Sequence, residues 1–299
     1  MNPPLQPSTG VLLLFLSAIC WSTAGLFTRL IDLDPWTILF WRGLFGAVLT
    51  GACALWVRRS DPGTVARFRW RHWPILLWMT LGTLAFIPAL ALTSVASVAI
   101  LWATTPLLVA GLSRIWLGER VRAVTVLAGL VAVAGVAIMG SERASDTSKI
   151  GMLLAFAMAF SMAMTIVAFR KHRDAGCWPV GCLSNALTAG VTLFLAQPVA
   201  VTPADLGFLL LFALVQMTLG LGLFVMGTRR MPAADGAVIG LIEAPLAPFW
   251  VWLAFQEIPS DATLAGGALV LAAAAGHVLL ARERGAPAIG ASDGGSIAP

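Results

Sequence analysis

Apolar runs separated by short polar stretches fill the chain from residue 11 to residue 281. Ten such runs can be marked, each of about 20 residues, the length a helix needs to cross the hydrocarbon core at ~1.5 Å per residue. They are Val11–Leu30, Pro35–Val57, Trp73–Leu92, Ser94–Trp116 and Val121–Gly140, then Ile150–Phe169, Trp178–Pro198, Leu206–Thr228, Ala234–Phe255 and Thr263–Ala281. The runs are continuously apolar rather than alternating, so the pattern predicts helices and not the strands of a barrel. The predicted fold class is an all-α integral membrane protein of ten transmembrane helices. Residues 1–9 and 283–299, rich in Pro, Gly, Ser and Ala, are expected to be disordered tails, and 141–149 a linker. The first run lacks a preceding basic segment and is too long for a cleaved signal core, so a retained helix is expected.

The second half repeats the first. VAILWATTPLLVAGLSRIWLGER (98–120) is matched by AVIGLIEAPLAPFWVWLAFQE (237–257): Thr105-Pro106 falls on Ala244-Pro245 at an offset of 139, and Glu119 on Glu257 at 138. Ten residues after each glutamate stands a glycine, Gly129 and Gly267, within the small-residue stretches LAGLVAVAGVAIM and LAGGALVLAAAAG. Trp21-Ser22 falls on Phe160-Ser161, and Trp36 and Trp178 open the second and seventh runs. Two units follow, 10–140 and 150–282, of five helices each. Five is odd, so the second unit enters the membrane from the opposite face and the repeat is inverted, an architecture whose substrate sites lie near the midplane between the halves. The Gly/Ala faces of runs five and ten allow close backbone approach, either inside the bundle or in a weak homodimer.

Composition fits this picture. The chain is 59% hydrophobic and 11% charged, against about 25% charged in soluble domains, too little charge to cover a water-facing surface. Fifteen Lys and Arg fall in even-numbered loops and the C-terminus, and Arg29, Arg143 and Lys149 on the other side. That bias places both termini in the cytoplasm, for a multi-pass protein of a bacterial-type inner membrane. ARFRWRHW (66–73) interleaves bases and aromatics; beside a membrane helix it reads as an interfacial anchor, and no nucleic-acid partner is expected. Cys20, Cys53, Cys177 and Cys182 form no Cys-x-x-Cys pair, and His72, His172 and His277 lack ligand spacing, so no metal site is expected. No Ser/His/Asp set or phosphate-binding glycine loop occurs, so no catalytic residue or cofactor is predicted, and ATP is disfavoured as a direct energy source.

The Glu-then-Gly pattern, the prolines of runs four and nine and Phe40-Trp41-Arg42 together resemble the drug/metabolite transporter superfamily, in its EamA branch, over about residues 10–282. CWSTAGLFTR (20–29) is similar to the first helix of YddG-type amino-acid exporters. The resemblance implies a secondary transporter that exports aromatic and other amphipathic amino acids and related small metabolites by alternating access. Drugs or sugar- and nucleotide-type metabolites are the alternative cargo. A lipid-modifying membrane enzyme is the distant alternative, and no acid/base or metal constellation at the membrane edge supports it.

Two ionisable groups are read as lying well inside the spans, where such groups are costly and mark function. Arg42 belongs to the outer half of the second run. It either snorkels or pairs structurally, or faces a cavity and receives a substrate carboxylate through forked hydrogen bonds. Glu243 lies near the midplane in IEAPLAP. Pro245 removes the helical partner of the Leu241 carbonyl, and Pro248 that of Ala244. A carboxyl beside freed carbonyls can hold an ammonium group or exchange a proton; the alternative is a protonated structural glutamate. Thr104, Thr105 and Pro106 form the uncharged sister patch. Asn185 and Gln216 are interhelical bonding groups or ligand contacts. Trp21, Trp102 and Phe160 are ordinary packing or, as the exporter resemblance implies, an aromatic lining. Glu119 and Glu257 are read as structural.

Overall fold

The computed structural model describes residues 7–60, 68–93, 95–140, 148–198, 201–231, 233–256, 258 and 260–283. The ten spans are α1 (Pro7–Ser22 continuing as Ala24–Leu30), α2 (Pro35–Ser60), α3 (Trp73–Leu92), α4 (Val95–Ala103 and Thr105–Trp116) and α5 (Ala123–Gly140). The second half holds α6 (Lys149–Lys171), α7 (Cys177–Thr192), α8 (Pro203–Thr228), α9 (Ala233–Gly240 and Glu243–Phe255) and α10 (Asp261–Glu283). Among the described residues nine of these are long and apolar enough to cross a membrane. The exception is α7, with 16 residues, roughly 24 Å of helix. Its apolar run was expected to reach Pro198. Instead the amides of Leu195 and Ala196 fold back onto the Thr192 carbonyl at 3.0 and 2.9 Å, and the Gln197 amide donates to Thr37 Oγ1 at 2.8 Å. The chain is captured by α2 before the proline arrives.

Helix also runs into the edges of both expected tails. α1 begins at Pro7, a residue suited to a first helical turn because its missing N–H has no partner there anyway, and α10 reaches Glu283. The rest of the tails, linker residues 141–147, and Glu257 lie outside the described residues.

The halves meet through contacts that map onto themselves when the halves are exchanged. α1 packs on α8 and α6 on α3; α9 packs on α1 and α4 on α6; α2–α7 and α5–α10 are each their own mates. With five helices per unit, this is the inverted repeat. The helix ends match as well: Gly118 (φ 64°) closes α4 and Gln256 (φ 55°) closes α9, each in the left-handed region.

Small residues set the closest approaches. A Cβ on Gly135 of α5 would stand 2.8 Å from the Gly266 carbonyl oxygen of α10, and a Cβ on Gly266 would strike the Gly135 carbonyl. The Gly/Ala faces are therefore used inside the chain. The two signature glycines have matched roles: Gly129 sits against Leu107 and Pro106, and Gly267 against Pro245, so each glycine seats the proline of the preceding helix. The main core lies where α6, α8 and the start of α9 converge, around Val167, Phe169, Phe224, Val225 and Ile239.

Gly266→Val is expected to lower stability by about 1–3 kcal/mol through overpacking at the α5–α10 crossing. Gly276→Ala on the same helix, with nothing within 4 Å of its new methyl, changes stability by less than about 0.5 kcal/mol. Thermal unfolding of the purified protein in micelles measures both; equal losses would refute the crossing.

Candidate functional site

α4 and α9 are both interrupted at the level of their prolines. In α4 the break falls at Thr104: its amide donates to the Leu101 carbonyl at 3.1 Å, and the hydroxyls of Thr104 and Thr105 cap the Leu101 and Trp102 carbonyls at 2.6 and 2.5 Å. In α9 it falls at Leu241-Ile242, where amides of Leu241, Ile242 and Ala244 bond three residues back at 3.2, 3.2 and 3.0 Å. The Leu241 carbonyl, expected to be freed by Pro245, thus accepts from Ala244: the chain tightens to a 3₁₀ turn and re-satisfies it. Glu243 begins the second piece of α9, partly buried, and accepts a hydrogen bond from the Trp102 indole Nε1–H across the two broken helices. The sequence named both residues without pairing them.

The predicted aromatic lining divides. Trp21 donates its indole N–H to the Gln216 carbonyl at 3.2 Å, and Gln216 Nε2 donates back to the Trp21 carbonyl at 2.9 Å. Trp21 also lies against Gly220, and its ring is 4.8 Å from that of Phe224. These bonds join α1 to α8, where residues 213–220 form a π-helix. Phe160 lies at the sister interface, α6 on α3, edge-on to Trp78 at 5.6 Å. Here the space stays open: a cavity of about 330 Å³ is lined by Trp78, Leu81, Leu84, Ala85, Leu154, Ala157, Phe160 and Ser161. Trp102 packs on the same small cluster, including Ala89, Val98 and Met158, as the cavity residues Ala85 and Leu154. Trp78 was not among the predicted site residues. A signal for it exists in Met-Thr-Leu-Gly, which occurs at 79–82 and again at 217–220 and sets Trp78 opposite Gln216 in the repeat.

Arg42 is 5% exposed and so does not face lipid. Its guanidinium lies 5.0 Å from the Phe212 ring centroid, a cation–π contact, and Nη1 has no acceptor among the described residues. Asn185 packs on Gly43 and Gly46 of α2, with Nδ2 likewise unpaired. Neither Arg42 nor Glu243 lines either of the two described cavities, and they share no described partner. The structure therefore brings Glu243 and Trp102 together, and Trp21 and Gln216 together, but not Arg42 and Glu243. Pro106 is buried and Pro245 partly buried, each beside its break.

Polar contacts tie the halves at the even-loop face. Asp174 accepts from Arg71 Nη2 at 2.5 Å and from His72 Nε2 at 2.9 Å; His72 Nδ1 accepts the Arg69 amide at 3.2 Å, which assigns the ring proton to Nε2. Arg170 Nε donates to Glu119 at 2.9 Å, and within the second half Arg229 donates to the Ala175 carbonyl. Glu119 is thus an ion-pair partner between halves. Two further ionisable groups are buried by the protein nearer the helix ends. Asp235 of α9 and His277 of α10 are 6% and 3% exposed and stand 3.4 Å apart. Both lie near helix ends in the sequence, where burial by a third helix is not legible.

The fold and these sites define a multi-pass membrane protein of two inverted five-helix units with interrupted helices between them. The sequence profile of the EamA-like transporter family matches residues 8–141 and 149–279. The chain belongs to that family, whose members are transporters. No curated protein matches the chain. A solved crystal structure shares the fold, with a TM-score of 0.79 and 22% identity over 94% of this chain and 100% of the other.

The Arg71 guanidinium beside Asp174 holds its carboxyl below the ordinary range, at about 2, with the His72 hydrogen bond adding to the effect. Its unfolded value lies near 3.9. A depressed carboxylate contributes stability above the unfolded value and loses it as pH falls through the folded one. Asp174→Asn is therefore expected to melt below the parent protein by a constant margin above about pH 4, a margin that closes between about pH 4 and about pH 2. Thermal melts across that range test it; a margin independent of pH would refute the ion pair.

Proposed function

We propose that this protein is a secondary transporter that exports amino acids, aromatic and other amphipathic ones foremost, across a bacterial-type inner membrane by alternating access, with both termini in the cytoplasm. The observation that carries the reading is the cavity between α3 and α6, whose residues Ala85 and Leu154 share a small apolar cluster with Trp102, the hydrogen-bond partner of Glu243. Its volume of about 330 Å³ falls in the roughly 300–1,000 Å³ range of small-ligand sites. Its wall offers two aromatic rings, aliphatic faces and the single hydroxyl of Ser161. Such a wall suits an apolar or aromatic side chain and offers little to a sugar or a nucleotide phosphate. The similarity of CWSTAGLFTR (20–29) to YddG-type exporters supports the same cargo.

In this reading Glu243 receives the substrate ammonium or exchanges a proton, and Trp102 orients its carboxyl. Trp78 joins Phe160 as the wall for the side chain. Arg42 is the candidate for the substrate carboxylate in a second conformation, since here its charge rests on Phe212. Asn185, with an unpaired amide beside the same α2 surface, is its candidate neighbour. The contacts at the even-loop face support a state closed toward the cytoplasm. The matched exchange of contacts between halves supplies the means of opening the other way.

Reconstitution into liposomes with labelled tryptophan is the test. Phe160→Ala and Arg42→Ala are each expected to reduce flux roughly tenfold, the worth of about 1.4 kcal/mol of lost contact. Glu243→Gln is expected to flatten the dependence of flux on pH. Unchanged flux in the first two variants would remove the site, and an unchanged pH profile in the third would remove the proton role.

A further inference from the structure

We propose that Asp235 and His277 form a second, separate proton-binding site, filled from the even-loop face through a cleft with room for about one water. This pair is distinct from Glu243 and from every residue assigned to the substrate.

The pair is assembled by three helices. Asp235 lies in the first turn of α9 and accepts a hydrogen bond from Thr125 Oγ1 of α5 at 2.6 Å. His277 Nε2 of α10 stands 3.4 Å from the same carboxylate oxygen, near enough for an ion pair and longer than a good hydrogen bond. Neither ring nitrogen has a hydrogen-bond partner among the described residues. A carboxylate alone in such a place would carry an uncompensated buried charge. An imidazole beside it lets the two share one proton, so that the pair alternates between a neutral and a charged state at modest cost.

Access is visible. A cleft of about 20 Å³ opens beside the pair, lined by Ser113, Glu119, Arg120, Val121, Arg122, Thr125, Ala234 and Asp235. That volume is enough for about one water molecule. Ser113 is 1% exposed and its hydroxyl has no partner among the described residues. Together with Thr125 and Asp235 it would give a water in the cleft three polar neighbours. A proton from the loop face thus has a short polar path to a group otherwise sealed from solvent.

The surrounding charges do not replace either partner. Arg122 acts on Asp235 from the approach to α5, and Glu119 and Arg120 line the cleft. Glu119 is engaged by Arg170 of α6. Arg229 and Arg230, at the end of α8, turn to the carbonyls of Ala175 and Met226. From α1 the neighbour at this turn is Leu14, against Gly236.

The chain has three histidines, so selective ¹⁵N labelling of imidazole in the full-length protein in lipid nanodiscs gives three ring signals, assigned by His277→Gln. The His277 ring in the parent protein is expected to change its protonation within the pH range over which the protein stays folded. In Asp235→Asn the same change should require about tenfold more protons, one pH unit. His72 and His172, which lie by Asp174, serve as internal controls and should not move. Thr125→Val, which keeps the shape and removes the hydroxyl donor, should also displace the His277 curve and stands in if Asp235→Asn does not fold. A His277 ring that stays neutral across the range in the parent protein overturns the proposal. So does a curve identical in the parent and in the variants that fold.

Discussion

A chain dissolved in hydrocarbon finds no water for a loose amide or carbonyl, so every interruption of a helix must be repaired from within the protein. The rest of this structure depends on that requirement. At Thr104 the repair comes from threonine hydroxyls; at Leu241 it comes from a tightened turn. In α8 it takes the form of a π-helical stretch whose Gln216 carbonyl receives the Trp21 indole. Two of the repairs are local to the broken helix and the third comes from α1, and contacts between the halves lie at each: Trp102 with Glu243, and Trp21 with Gln216. The same places are where polar side chains can be held inside the membrane, and Glu243 is held at one of them.

Duplication supplies the frame, and departures from it supply the chemistry. Trp21 of α1 and Phe160 of α6 occupy matched positions, packed against α8 and α3 respectively. Gln216 binds Trp21 in both directions and closes the first interface; its mate Trp78 meets Phe160 edge-on and leaves the second one open. One difference of residue between two copies of Met-Thr-Leu-Gly thus accompanies a filled interface on one side and a cavity on the other. Glu243 breaks the symmetry again, since Thr104 holds the corresponding place and carries no charge. A perfectly symmetric chain would have no reason to bind a polar, asymmetric molecule in one orientation.

The even-loop face is held by a different physics. Arg71 and Asp174 lie where water and headgroups reach, and their ion pair carries geometry more than energy, while Arg170 and Glu119 pair in a more buried place. They join first half to second, so any motion that opens this face must part them. Deeper in, Asp235 and His277 are out of reach of that screening, and their state of charge weighs more heavily on the helices that hold them.

The sequence by itself determined the number and order of the spans, the duplication, the recurrence of the signature glycines and prolines, and the candidacy of Glu243, because all of these are written in hydropathy, order and spacing. Only the tertiary structure decided which side chains meet. Lipid is as apolar as leucine, so a membrane helix has little need of an amphipathic stripe, and α2 and α3 carry almost none. Without that stripe the inward face cannot be read. For that reason Trp21 was not distinguishable from Trp78 as a cavity wall, Arg42 could not be assigned to Phe212, and the pairing of Asp235 with His277 stayed hidden. Burial beside a partner from another helix is a property of packing, and here the packing was settled by small residues and by the two-fold relation of the halves.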